Sequence, residues 1–243
     1  RDVAVARAAR LRPLSTVKDR ESSSNYAFDR AVKVAQRDGA ARAAKAWRTG
    51  QEDVVSYDYF RQEIASRMAD RLDDIKRDDG FPLALEIGSG PGTMHRAICS
   101  DDAFDGIGGI GGVRKLVQLD SSHEMLHRDE DIPVEGAERC GTYRMVANEE
   151  SKLSFPDGTF DLVISSLSLH WVNELPQLFG EIKRVLKPDG CFMFAMVGGS
   201  TLPELRASLV LSQMEREGGV SPHVGPFVEL SDVGSLLGNA GFT

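Results

Sequence analysis

The segment LALEIGSGPGT, Leu83 to Thr93, constrains this chain more than any other stretch. A short apolar run carries Glu86 near its end. Gly88, Gly90 and Gly92 follow at every second position. A helical pattern through Met94, Ala97 and Ile98 comes next. A strand feeding a glycine loop and then a helix opens an open α/β sheet, whose backbone can pass beneath a ligand with no Cβ in the way. The spacing is not Gly-x-Gly-x-x-Gly, because Gly92 comes one position early and Thr93 follows it. No Gly-Lys-Ser/Thr is present, which excludes a P-loop. Glu86 at the strand end would repel a phosphate and would suit an ammonium group.

The rest of the chain alternates in the same way. Val113–Leu119, Tyr143–Ala147, Phe160–Ser166 and Cys191–Val197 read as further strands. Helical patterns fall around Glu124–Leu126, Glu174–Leu186, Leu202–Arg216 and Val233–Ala240. This order predicts an α/β fold: a doubly wound, mostly parallel sheet with helices on both faces. The fifth strand is continuously apolar, as expected of a strand buried on both sides. Upstream, residues 26–50 read as an alanine-rich helix with little to pack. Residues 54–76 show an apolar stripe of Phe60, Ile64, Met68, Leu72 and Ile75. The expected division is a basic, partly helical N-terminal extension over 1–53 and a ligand-binding domain over 54–243. Gly106–Gly112 is expected to be a flexible loop or insertion. The chain closes on Ala240-Gly241-Phe242-Thr243, a helix cap and the beginning of a strand, so C-terminal strands are expected to be missing.

Composition narrows the class. Hydrophobic residues are 41% and charged residues 27%, enough for a packed core. No run reaches the ~18–20 apolar residues of a membrane span. Residues 1–50 hold 12 Lys and Arg against 5 Asp and Glu, whereas the remainder holds 17 against 32. The acidic body disfavours nucleic acid except at the N-terminal arm. The arm, poor in apolar residues, is expected to dock on other proteins. Its first 20 residues are Arg-rich and acid-poor, as in mitochondrial leaders, and the chain begins at Arg1 rather than Met. Cys99, Cys140 and Cys191 are too scattered for a disulfide scaffold, and a CxxC metal motif is absent.

Two further elements would complete a site. LVQLD ends in Asp120, whose carboxylate can take both hydroxyls of a ribose and can also cap the next helix with Ser121 and Ser122. In VANEESKLSFPDGTFDLVISSLSLHWV, Asn148 and Glu149 follow the third strand. Ser165, Leu167, His170 and Trp171 lie at the C-terminal end of the fourth. HEMLH, His123 to His127, matches a zinc-protease string, but no third ligand is indicated and no metal is expected.

In this order, Glu-x-Gly-x-Gly-x-Gly, Asp120, Asn148-Glu149, FDLVISS and KPDG (Lys187–Gly190) resemble class I S-adenosylmethionine-dependent methyltransferases, which are Rossmann-like. SSLSLHWVNELP, GGSTLPELR and MEREGGVSPHVGPF narrow the resemblance to the mitochondrial complex I assembly factor 5 family. Phe28-Asp29-Arg30 and Ser66–Leu72 are similar to that family's N-terminal segment. The resemblance implies a protein of the mitochondrial matrix, peripheral at most to the inner membrane, that binds S-adenosyl-L-methionine. It implies hydroxylation or methylation of an arginine in an iron–sulfur core subunit of complex I, together with other assembly factors.

Carried over, Glu86, Gly88, Ser89, Gly90 and Gly92 would hold the methionine part, and Asp120 with Ser121 the ribose. Asn148 and Glu149 would hold the adenine side, beside Ser165 and Leu167. Asn148 stands where the family usually has Asp. His170 and Trp171 are candidates for substrate contact. Glu204 and Glu215 are candidates to pair a guanidinium. The alternatives are a methyltransferase acting on another protein, RNA or a small molecule, similar to the malonyl-carrier-protein methyltransferases, and a non-catalytic assembly scaffold.

Overall fold

The computed structural model describes residues 27–48, 58–100, 108–219, 225 and 227–243. Residues 1–26, the Arg-rich arm, lie outside these, as does most of the stretch between Gly219 and Phe227. Helices α1 (Arg30–Arg48) and α2 (Tyr59–Asp73) precede the sheet. There follow β1 (Leu83–Ile87), α3 (Thr93–Cys99), β2 (Lys115–Asp120), α4 (His123–Leu126) and β3 (Gly141–Val146). β4 (Phe160–Ser166), α5 (Leu175–Val185), β5 (Leu186–Ala195), α6 (Pro203–Glu217) and α7 (Leu230–Asn239) complete the order.

The five strands lie in the order β3-β2-β1-β4-β5, and all neighbours are parallel. The chain leaves β1 to one side and returns to its other side at β4. That reversal opens a crevice at the C-terminal ends of β1 and β4, where open α/β sheets bind ligands. Side chains alternate across the strands. Ala84, Leu116, Leu162 and Ile164 meet Met68, Leu72, Met94 and Ile98 on one face. Leu85, Ile87, Leu119 and Val163 meet Leu178, Phe179 and Ile182 on the other. Because both faces are covered, β1 and β4 read in sequence as mostly apolar runs, broken by Glu86 and Asp161.

Three expectations are corrected. The expected stripe of α2 holds in its middle, where Met68 and Leu72 are buried and Ile64 packs on the core, and fails at its ends: Phe60 is 51% and Ile75 37% exposed, and Ala65 and Ala69 are buried instead. Small alanines let this helix approach α3 closely, leaving the larger terminal residues outside. The end of the glycine run is packed rather than loose. Ile110 is buried, Gly109 bridges to Val113, and a Cβ on Gly111 would stand 2.7 Å from Leu72 Cγ. Here glycine is required by the close approach. β5 is half-exposed and begins at Leu186, with a register shift between Phe160 and Leu162 of β4 and Asp189 at positive φ. It is an edge strand among the described residues: Cys191, Met193 and Ala195 pack against one core and Phe192 and Phe194 against the other, but all five stay partly exposed. The helix expected over Leu202–Arg216 is α6, and it buries none of its residues.

No helix among the described residues is long and apolar enough to cross a membrane.

Candidate active site

The crevice is built first by backbone. Gly88, Gly90 and Gly92 all take positive φ (67°, 58° and 81°), so the chain turns under the crevice before α3 begins. Gly88 and Ser89 both donate their N–H to the Leu119 carbonyl, which ties the loop to the end of β2. A Cβ on Gly88 would collide with Ser168 Oγ at 1.9 Å. A Cβ on Gly90 would meet nothing nearer than Arg61 Nη1 at 3.8 Å and would project toward the cations of the cavity.

Asp120 is 1% exposed and thoroughly held. Its Oδ2 accepts from the Gly90 N–H at 2.8 Å and its Oδ1 from the Ser122 N–H at 2.8 Å. Arg37 donates to the same Oδ2. Ser122 Oγ caps α4 by accepting from Met125 N–H at 3.1 Å and donates to Asp38. The capping role weighed for Asp120 with Ser121 and Ser122 falls to Ser122, while Asp120 lines the cavity.

Glu86 lies beneath the loop, 2% exposed. Burial, with the nearby Asp120 charge, pushes its carboxyl up to about 8, and a 3.2 Å hydrogen bond from Gln118 Nε2 offsets only part of this. It is a neutral acid at pH 7, waiting on a cationic partner to ionise.

A cavity of about 200 Å³ stands over Gly88, Asp120, Ser121, Glu149, Ser168 and Trp171. A narrower recess beside it reaches Glu86, Ser89, Gly90 and Leu167, and Arg37 and Arg61 line both. The roof comes from α1. Arg30, Lys33 and Arg37 share one helix face and all line the cavity. Arg30 donates to Glu149 and, at 3.0 Å, to the Trp171 carbonyl, with Glu150 at 3.7 Å from its Nε. Lys33 Nζ lies 3.5 Å from the centroid of the Trp171 ring, and burial together with the Arg30 charge lowers its pKa. Several buried polar atoms here lack a partner: Ser89 Oγ, Glu149 Oε2, and Nε of both Arg30 and Arg37. Such atoms are rare unless a ligand or water satisfies them.

Of the residues singled out in the sequence, Glu86, Gly88, Ser89, Gly90, Asp120, Ser121, Glu149, Leu167 and Trp171 line this space. Gly92 supplies the turn into α3. Ser165 is buried behind it, donating to the Ile87 carbonyl at 2.8 Å. Leu167 holds φ 53°, a strained position for a leucine, at the mouth of the recess.

Four candidates do not converge. Asn148 turns away, its Oδ1 accepting from the Glu150 N–H at 3.1 Å in a local turn. Glu204 and Glu215 stand exposed on α6 and line neither space. His170 is buried behind Trp171, with ring centroids 5.1 Å apart and Nδ1 unpartnered. Burial first, then the charges of Lys33 and Arg61, pull its pKa down to about 4, so it is neutral at pH 7.

The residues that sequence reasoning missed are the cations. Arg30, Lys33 and Arg37 follow a three-then-four spacing in a helix with little apolar character, and that was the available signal.

Comparison with known proteins bears on the fold and on the chain's relatives. The sequence pattern of the family described as "Methyltransferase domain" matches residues 85–194. A solved S-adenosylmethionine-dependent methyltransferase of Methanosarcina mazei superposes with a TM-score of 0.50 at 19% identity, covering 68% of this chain and 80% of that one. That likeness concerns the fold. Among curated proteins, the mitochondrial arginine-hydroxylase NDUFAF5 of Rattus norvegicus is 44% identical over 245 residues, covering 99% of this chain and 63% of that protein. The malonyl-[acyl-carrier protein] O-methyltransferase of Nitrosospira multiformis is 29% identical over 229 residues, covering 80% of this chain and 69% of that enzyme.

The sheet order, the glycine crevice and the matched pattern define a methyltransferase-type α/β domain. Within that class the chain is similar, over most of its own length, to the mitochondrial arginine-hydroxylases named NDUFAF5, at 38–46% identity. It spans between 50% and 63% of the length of the NDUFAF5 relatives it matches.

Proposed function

We infer that this chain is the S-adenosylmethionine-binding part of a mitochondrial protein-modifying enzyme that hydroxylates, or methylates, an arginine of a complex I core subunit during assembly. The observation that carries the arginine-directed reading is the seat filled by Arg30. A guanidinium rests there between Glu149, Glu150 and the Trp171 carbonyl at the edge of the cavity. Two carboxylates and a carbonyl in this arrangement are groups that select a planar, multiply donating cation. The family's name for its activity points to the same side chain.

The residues present fit the cofactor. Glu86 would ionise against the α-ammonium of the methionine part, and the Gly88–Gly90 backbone would pass below it. Asp120, already positioned by two backbone N–H groups, would take the ribose diol. The unpartnered Ser89 Oγ and Glu149 Oε2 would find donors or acceptors on the ligand. When bound, the cofactor supplies an electrophilic methyl on a sulfonium. The chain's own residues bind and orient, while the α1 cations close the roof against water.

Calorimetry with S-adenosylmethionine tests the binding half. Peptide mass spectrometry tests the other half, using the complex I iron–sulfur core subunit with and without this protein. Gain of an oxygen on arginine supports hydroxylation, gain of a methylene supports methylation, and no mass change refutes the enzymatic reading. The malonyl-carrier-protein relative makes a carboxylate methyl acceptor the second reading. Methyl transfer to a malonyl thioester in the same assay would favour it.

A further inference from the structure

Away from the crevice, at the opposite end of α3, three soft donors converge. One ring nitrogen of His95 and the sulfurs of Cys99 and Cys140 all lie within 4.8 Å of one another. His95 and Cys99 are four residues apart on α3 and therefore share a face. Cys140 arrives from a distant segment, immediately before β3. All three are buried, at 8%, 0% and 1% exposure. Among the described residues, no other group of three or more His, Cys, Asp or Glu draws its donors together this closely.

From this we propose that His95, Cys99 and Cys140 form a Zn²⁺ site with three protein ligands. Two thiolates and an imidazole are the donors that a borderline-soft d¹⁰ ion prefers, and the ligand separations of a tetrahedral site need only small adjustments from those present. The shell around the ring is already in place. His95 Nε2 lies 3.0 Å from the Cys140 carbonyl. An Nε2–H donating there leaves Nδ1 its lone pair, the arrangement that orients metal-bound histidines. The loop before Cys140 closes the site tightly: a Cβ on Gly136 would stand 2.3 Å from the Cys99 carbonyl. Binding displaces two thiol protons and joins both sulfurs to the ion, with no change of oxidation state. The fourth position is left to water.

The consequence is a clip between α3 and the start of β3. α3 begins at the glycine loop, so the clip fixes the helix that the crevice rests on. The HEMLH string is not this site: His123 and His127 lie on α4 with their rings stacked at 4.4 Å, and His127 Nδ1 engages the His123 carbonyl.

The test is titration of the reduced full chain with Co²⁺ and then Zn²⁺. We expect one equivalent of Co²⁺ with thiolate-to-cobalt charge-transfer absorption and tetrahedral d–d bands, displaced by Zn²⁺, and a Tm that rises with Zn²⁺. Cys99→Ala, Cys140→Ala and His95→Gln should each weaken binding by more than the roughly 10–100-fold that loss of an outer partner costs. His123→Gln/His127→Gln should bind as the parent does. Cys99→Ala replaces one small buried side chain by another, and its circular dichroism spectrum confirms that the chain is still folded. Absence of the charge-transfer band, equal binding by a folded Cys99→Ala chain, or loss of binding only in the His123/His127 variant would each overturn the assignment. So would recovery of Cys99 and Cys140 as a disulfide that no reductant converts to a metal-binding form.

Discussion

Glu86 offers the sharpest test of the crevice, because its burial has a thermodynamic signature of known sign. Its carboxyl is raised from 4.5 to about 8, chiefly by desolvation. The folded chain therefore holds a proton that the unfolded chain releases above pH 4.5. The stability this contributes is fully present below pH 4.5 and is lost as pH rises through about 8. Each pK unit corresponds to about 1.36 kcal/mol. Between pH 5 and 8 the loss is on the order of 3 kcal/mol.

Glu86→Gln keeps the shape and the capacity to bond Gln118 but does not titrate. Urea denaturation at several pH values should thus give two stability curves that diverge by about that amount between pH 5 and 8, the parent falling relative to the variant. Groups that titrate in both chains, His170 among them, cancel in the difference. Parallel curves would show that Glu86 is already ionised and that the neutral-acid account is wrong. The same proton is linked to the ligand. An ammonium ionises Glu86, so below pH 8 binding should release a proton and tighten with pH by up to about tenfold per unit, measurable by calorimetry in two buffers.

Other perturbations separate site from scaffold. Asp120→Ala strands Arg37 and two backbone N–H groups. It should cost about 3 kcal/mol in denaturation and lower S-adenosylmethionine affinity more than tenfold in calorimetry. Gly90→Ala places a methyl in the recess with its nearest neighbour 3.8 Å away, at φ 58°. It should lose about 1–2 kcal/mol of stability and most of the cofactor affinity. Gly111→Ala pushes on Leu72 from a positive φ. It should cost about 1–3 kcal/mol while cofactor affinity in the folded fraction is unchanged. Arg30→Ala with Arg37→Ala should lower amide-exchange protection of α1 by at least about tenfold, with the sheet amides unaffected.

The interior of the fold was legible because each central strand is covered on both faces. β1 and β4 appear as apolar runs with the bounds the structure gives them, and α5 as a clear amphipathic stripe. The crevice was legible for a related reason. Three glycines at alternate positions have no use in a strand or helix, and an aspartate ending an apolar strand has few uses other than holding backbone and ligand. Legibility failed where a residue's role depends on a neighbour distant in sequence. The glycines at 109 to 112 read as slack because nothing local shows that Leu72 and Gly80 press against them. Asn148 read as a ligand contact because its strand-end position was right, whereas its amide closes a turn onto Glu150. Cys99, Cys140 and His95 carry no motif spacing, and only the return of the chain at β3 brings them together.

The described part of the basic head, from residue 27, lies on the acidic body itself. Arg30 meets Glu149, Arg37 meets Asp120, and Arg48 reaches Asp129 and Asp131. Asp129 also gathers Arg96 and Arg128, so α1 joins a network rooted in α3 and in the segment after α4. Two of these contacts engage carboxylates that are almost fully buried, where an unpaired charge is costly. The third pairs the remaining cationic end of α1 with that network. α1 buries only Ala41 and has too little apolar surface to hold itself in place. Its position over the crevice is therefore set by ion pairs to the groups that line the cavity. Whatever ligand takes a share of Asp120 or Glu149 must also change how firmly the roof is held.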